Sequence, residues 1–293
     1  MAAERVEDED EDDREVGHVI VEDDTAGISA EEAQLTAVGS AHSFLSAEDI
    51  ELIQTVAEEL KSKLGHEARG FDGSWDTWFL HTAGVFGERL SGLRDRLVGL
   101  AQKLDKDGGW GMLKSGDIEE GRVQLRCVEF HEMREGGGLY DPTHKDDGSL
   151  ITLDCMLAEP GEDFGGGTFQ TLEADGTMKE HQFEQGDVVG FVSHKYHCVQ
   201  PVDWGERSVM ILELWRGELR TCPHRCEQPT GRCVHAGQLV ELKGLEDSLP
   251  QLKQAMLDAS RAFKAQELKM QIIKGEVEAE GSSAGAQKRQ HTK

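Results

Sequence analysis

The sequence predicts a mainly β domain with flanking α-helices, built on a double-stranded β-helix (jelly-roll) core, and three observations lead there. Four short segments, Val123–Met133, Leu150–Leu157, Asp187–Val192 and Ser208–Trp215, are rich in β-branched and apolar residues and bounded by glycine or proline, as strands are. Glycine clusters at Gly136–Gly138, Gly165–Gly167 and Gly186 separate them, a spacing that suits a sandwich or barrel. Helical periodicity precedes the strands, so helices are expected to cover one outer face of a sheet.

Residues 1–42 read as an acidic, disordered leader. The first 24 residues carry twelve acidic side chains against two arginines, and such a block repels itself and builds no core. A helical support region follows at 43–110. Ser46 opens its first helix, with Asp49 three places on as capping partner. Ile50, Ile53, Val56, Leu60 and Leu64 share one face of that helix. A Trp-rich turn runs from Gly73 to Phe79. A second helix is expected from Ala83 to Leu104, where Phe86, Leu90, Leu93, Leu97, Leu100 and Leu104 are spaced 4-3-4-3-4, and Asp105 to Gly111 ends it. The β core is placed at 111–217, a Cys/His-rich segment at 218–240, a C-terminal helix at 241–275 and a disordered tail at 276–293. In the C-terminal helix Ser248 caps, Pro250 suits the first turn, and Leu252, Met256, Ala259, Phe263 and Met270 form the apolar stripe.

At 293 residues the chain has room for one catalytic domain plus appendages. It holds no apolar run long enough to cross a bilayer, and its first residues are acidic where a targeting leader would be basic. The expectation is an intracellular, soluble, cytoplasmic protein. A formal net charge of −26 argues against nucleic-acid or membrane partners. Cys127, Cys155 and Cys198 lie singly in apolar stretches and read as small buried residues.

Of twelve histidines, His144 alone has a carboxylate two residues later, Asp146. Two residues apart in extended chain means the same side, so both groups can reach one ion. A third donor is offered at the end of a later apolar strand by His194 or His197. Two imidazoles and a carboxylate on one face of an ion leave coordination positions open, as in the facial triad of non-haem Fe(II) oxygenases.

From His144 to Trp215 the chain resembles the catalytic core of the 2-oxoglutarate/Fe(II)-dependent oxygenases, in their prolyl 4-hydroxylase-like branch. The residues that carry the resemblance are His144-Lys-Asp146, Thr152, Asp163-Phe-Gly-Gly-Gly167, Gly186-Asp187, His197 with Pro201-Val202, and Gly205-Glu-Arg207. In that family a basic residue for the distal carboxylate of 2-oxoglutarate follows the distal histidine by about ten positions. Arg207 is ten after His197 and thirteen after His194, so the resemblance selects His197 as third ligand and Arg207 as the co-substrate clamp. A guanidinium is the natural bidentate partner of a buried carboxylate. The resemblance further implies Fe(II), 2-oxoglutarate and O₂, ascorbate as reductant, and hydroxylation of a C–H bond coupled to release of succinate and CO₂. A peptidyl proline, another protein or peptide residue, or a free small molecule would be the prime substrate. The family's tyrosines near the co-substrate have no counterpart here. Their neighbourhoods read Met133-Arg134 and Met156, and Tyr140 stands elsewhere.

Taken singly, each of these residues has a plainer reading. His197 is a packed strand histidine, Arg207 a strand-start arginine, and the triple glycine a tight turn. Thr152 is read as β-branched filling and not as a site residue. Their order and spacing together favour the oxygenase over a cupin-like metal-binding or interaction protein without redox turnover. A second cluster, Cys222, Cys226, Cys233 and His235, has the spacing C-x3-C-x6-C-x-H, and four such donors suffice for a structural zinc site.

Overall fold

The computed structural model describes residues 27–64, 67–68 and 73–233. The C-terminal helix, the tail, the first 26 residues of the leader and His235 lie outside the described residues. The chain divides into two units, Met1–Gly231 and Arg232–Lys293, and the strands and helices among the described residues all belong to the first.

In chain order its elements are α1 (Ala30–Gln34), β1 (Gly39–Ala41), α2 (Ala47–Leu64), β2 (Glu67–Ala68), β3 (Trp75–Phe79), α3 (Val85–Arg89), α4 (Ser91–Gly108), β4 (Gln124–Arg134), β5 (Leu139–His144), β6 (Ile151–Met156), β7 (Phe164–Gly166), β8 (Phe169–Leu172), β9 (Met178–His181), β10 (Val188–Val192), β11 (His197–Val199) and β12 (Val202–Trp215). The larger sheet has the order β1-β10-β6-β12-β4-β3-β2, with β7 added beside β12. The smaller has the order β5-β11-β8-β9. All these named pairs are antiparallel, giving the jelly-roll of two sheets with helices attached.

Both faces of the centre of the large sheet are buried, which is why β6 and β10 read as nearly continuous apolar runs. Side chains alternate across a strand. One set, including Val128, Phe130, Leu153, Val188, Met210 and Leu212, packs in one core with Ile53 and Val56 of α2 and Leu97 and Leu104 of α4. The alternate set, Met133, Met156, Val189 and Val209, joins Phe169 of the small sheet in a second core. Gly190 on β10 lets the helix layer approach closely, since a Cβ there would sit 2.6 Å from Leu104 Cδ1 and 2.8 Å from Leu153 Cδ2.

The cap expected on α2 is present: Asp49 N–H donates to Ser46 Oγ (3.2 Å) and Ser46 N–H to Asp49 Oδ2 (2.9 Å). Three expectations need correction. Part of the leader is structured: Ser29 caps α1 in a capping box, and β1 pairs with β10. The Trp-rich stretch is strand β3, paired along its length with β4, because its aromatics fill the pleat while its backbone completes the ladder. The expected helix from Ala83 to Leu104 breaks at Leu90 (φ −117°, ψ 30°) into α3 and α4. Phe86, Leu90, Leu93 and Leu97 all remain in the core across the break, so the apolar spacing survives where the backbone does not. Among the described residues no helix is long and apolar enough to cross a membrane.

The turn before β10 is tied to the N-terminal segment by Asp187. Its buried carboxylate accepts from Ser43 N (2.7 Å), Glu184 N (3.1 Å) and the His42 ring (2.9 Å). Burial acts to raise this carboxyl, but the amides and the imidazole outweigh it and hold it below its ordinary value. A carboxylate depressed in the folded state stabilises above the unfolded value, and that contribution is lost as pH falls through the folded one. Asp187→Ala is therefore expected to cost about 1–3 kcal/mol near pH 7. In urea unfolding the gap to the unaltered chain should narrow once the pH is below 3.8; a gap constant down to acid pH would contradict it.

Candidate metal centre

The register of the small sheet brings the histidines together. His144, the last residue of β5, is the direct cross-strand partner of His197, the first of β11. Their rings meet edge-on at 5.0 Å between centroids. Asp146 follows in the turn after β5, where its N–H donates to Ser193 O (2.9 Å). This directs the carboxylate between the imidazoles: Oδ1 lies 3.3 Å from His144 Nε2 and Oδ2 3.8 Å from His197 Nε2. The donor atoms of the three residues lie within 4.8 Å of one another. His194 is buried but is not in that group.

The tautomer of His197 follows from its partner. Its Nδ1 lies 2.9 Å from Lys195 O, an acceptor, so Nδ1 carries the proton and Nε2 presents its lone pair to the cluster. Burial lowers the pKa of His197 against the pull of Asp146, which keeps the ring a donor. Burial works to raise Asp146, but His197, His144 and Arg225 outweigh it and hold the carboxyl well below the usual carboxylate range. Two imidazole nitrogens and a carboxylate converging from three points form a donor set suited to a divalent ion.

Sequence reasoning passed over Thr152. Its hydroxyl donates to Asp146 Oδ2 (2.7 Å) and lies 2.9 Å from Ser193 Oγ. The threonine thus orients the carboxylate, as outer partners of metal ligands do. Thr152→Val keeps the shape and deletes the donor. It should weaken divalent-metal affinity by about 10–100-fold, read by competition with a chromophoric chelator. Unchanged affinity would return Thr152 to the role of filling.

The cluster opens into a cavity of about 390 Å³ between the sheets, whose lining includes Trp75, His131, Asp154, Phe169 and Arg207. Arg207, on β12, is fully buried, and its Nε, Nη1 and Nη2 have no hydrogen-bond partner. The nearest opposite charge is Asp154 Oδ2, 3.6 Å from Nη2. Burial pushes the Asp154 carboxyl up, opposed by Arg207 and His131. Room for the arginine comes from Gly167 (φ +63°), where a Cβ would stand 2.8 Å from Arg207 Cδ. The triple glycine is thus a turn and a clearance at once.

His131 is a further polar group on the cavity lining. Trp75 Nε1 donates to its Nδ1 (2.9 Å), leaving Nε2 to face Glu129 Oε2 at 3.1 Å. On another wall Arg225 Nε bonds both oxygens of Glu213 (2.7 and 3.0 Å), and its Nη2 donates to Asp147 O (2.8 Å). None of His131, Asp154, Glu213 and Arg225 was expected from the sequence. The available signal was polar residues at period two, such as Glu129 and His131 or Thr152 and Asp154, inside strands otherwise apolar.

Of the second cluster, Cys222 and Cys226 come together with His224, an imidazole that spacing alone did not single out. Cys233 is buried and belongs to the second unit, which begins at Arg232.

No protein-family model matches the sequence, and no curated protein matches it. Solved structures do align with the fold. A prolyl-4-hydroxylase of Pseudomonas putida aligns at 16% identity and TM-score 0.44, covering 64% of this chain and 96% of that one. A prolyl hydroxylase of Trichoplax adhaerens, solved with a hypoxia inducible factor peptide fragment, aligns at 14% and 0.45, covering 65% and 89%. HygX of Streptomyces hygroscopicus, solved with nickel and 2-oxoglutarate, aligns at 12% and 0.43, covering 61% and 83%.

Proposed function

We propose that this chain is an Fe(II)- and 2-oxoglutarate-dependent dioxygenase that hydroxylates a C–H bond. The observation that carries the reading is Arg207, a buried guanidinium without a hydrogen-bond partner, lining the same cavity as the His144, Asp146 and His197 cluster. Leaving such a group unpaired is costly, and a carboxylate entering the cavity relieves that cost. A cupin-like protein that only holds metal has no use for it.

The residues present fit the implied groups. His144, Asp146 and His197 would hold Fe(II) from one side, and Arg207 would take the distal carboxylate of 2-oxoglutarate in a bidentate pair. When bound, iron would let O₂ act as the oxidant, one oxygen atom passing to 2-oxoglutarate as it is decarboxylated to succinate and CO₂ and the other entering the substrate C–H bond. The protein's part is positional. Thr152 and the Ser193 carbonyl fix Asp146, and the Lys195 carbonyl fixes the His197 ring. Phe169 and Phe191 pack against His197 with ring centroids at 5.9 and 4.8 Å, keeping that side dry. The motif set of the prolyl 4-hydroxylase-like branch supports a peptidyl proline as prime substrate.

The test is succinate formation by purified protein with Fe(II), ascorbate and 2-oxoglutarate. Turnover should require both iron and 2-oxoglutarate, vanish in His144→Ala and rise with proline-containing peptides. Succinate release that survives His144→Ala would overturn the proposal. Stimulation by free amino acids alone would replace the peptide with a small-molecule substrate.

A further inference from the structure

The segment after β12 contains neither helix nor strand among the described residues, yet it buries thiols. Cys222 is 7% and Cys226 1% exposed. Together with His224 each offers a donor atom, and these lie within 4.8 Å of one another. The other cysteines sit one to a strand: Cys155 and Cys198 are small buried side chains, and Cys127 faces the carboxylates of Glu129 and Glu213 with no second thiol or imidazole in its group. No disulfide joins any of the six.

We propose that Cys222, His224 and Cys226, with Cys233 as the fourth donor offered by the sequence, form a structural zinc site. Thiolate and imidazole are the ligands zinc prefers, and four of them close its tetrahedron with no position left for chemistry. At bond lengths of about 2.3 Å to sulfur and 2.0–2.1 Å to nitrogen, the donors of such a tetrahedron stand about 3.5–3.8 Å apart. The three donors on this loop come within about 1 Å of that spacing. His224 takes the place assigned from spacing to His235, because it lies midway between cysteines four positions apart, two residues from each on a tight loop.

The surroundings suit a fixed site. Arg126 Nε donates to Cys226 O (2.7 Å) and Arg220 Nη1 to Gly231 O (2.8 Å). Ala83 N–H donates to Thr221 O (2.7 Å) at the other end of the loop. Three thiolates and one imidazole around a dication leave one negative charge, and these arginines supply positive charge beside it. The site has a purpose in this fold. Arg225, between His224 and Cys226, is the residue that grips Glu213 and the Asp147 carbonyl on the cavity wall, next to Asp146. Zinc would anchor the loop that delivers it.

The zinc site stands or falls independently of the oxygenase reading, so its test avoids turnover. Full-length protein from zinc-supplemented culture would be measured for bound zinc and reactive thiols. A cobalt-exchanged sample would be read by absorption. We expect a single equivalent of zinc, retained in His144→Ala and lost in Cys226→Ser and His224→Ala. The cobalt form should show thiolate charge-transfer bands, which a His/Asp/His cluster cannot give. If Cys226→Ser fails to fold, the cobalt spectrum of the unaltered chain still decides. Substoichiometric zinc, cobalt without a thiolate band, or a disulfide among these cysteines would overturn the site. Zinc kept in His224→Ala but lost in His235→Ala would overturn the choice of imidazole.

Discussion

Replacing Arg207 by methionine is expected to weaken 2-oxoglutarate binding by about 2–5 kcal/mol, a factor of roughly thirty to several thousand in Kd. The same change should cost the fold less than it costs co-substrate binding. The guanidinium is fully buried and makes no hydrogen bond, and its nearest carboxylate, Asp154, stands 3.6 Å away. Such a charge costs free energy in the empty protein; an apolar side chain of similar length removes that cost but leaves the buried Asp154 carboxyl without its cation. Methionine also keeps the stem that packs over Gly167. Titration calorimetry with 2-oxoglutarate and urea unfolding would be run on the same preparations. A structural arginine would show the reverse pattern, with stability lost and co-substrate affinity unchanged. Arg207→Lys should fall between, since it keeps the charge and loses the fork.

Asp146→Ala should abolish specific Fe(II) binding, with a loss of more than about a hundredfold, since removing only the outer partner of a ligand costs 10–100-fold. The carboxylate supplies the negative charge between two imidazoles, and both of its oxygens are engaged, by His144 on one side and Thr152 on the other. Succinate production should disappear with it. Iron affinity close to that of the unaltered protein would remove Asp146 from the ligand set. Compared with Thr152→Val, the series should be graded: partial for the orienting hydroxyl, complete for the ligand.

The strands of the core were legible because a sheet buried on both faces makes dense apolar runs bounded by glycine. The helices were legible from one apolar face each. What escaped was set by pairing rather than by pattern. Trp75–Phe79 looks like an aromatic turn until β4 lies beside it, and Gly39–Ala41 has no strand character apart from β10. At the site, His144 and His197 are fifty-three positions apart. Only the register of β5 against β11 makes them neighbours. Thr152 was dismissed because a β-branched residue in a strand is ordinary, and its hydroxyl gains meaning only once Asp146 folds back over it. His224 was passed over because spacing along a chain does not show how a loop closes.

The clasp between α1 and the approach to β11 bears on how the protein is handled. Gln34 Oε1 accepts from Tyr196 N (3.0 Å), its Nε2 donates to His194 O (3.2 Å), and its own carbonyl accepts from the buried Lys195 ammonium (3.0 Å). A truncation chosen to shed the polar start of the chain at Phe44 would strip all three bonds from the tripeptide leading into His197. An expression clone cut there would yield a catalyst with a loosened histidine, and its poor turnover would wrongly be blamed on the missing acidic stretch. Cutting before Ser29 keeps the clasp and lets the two effects be separated.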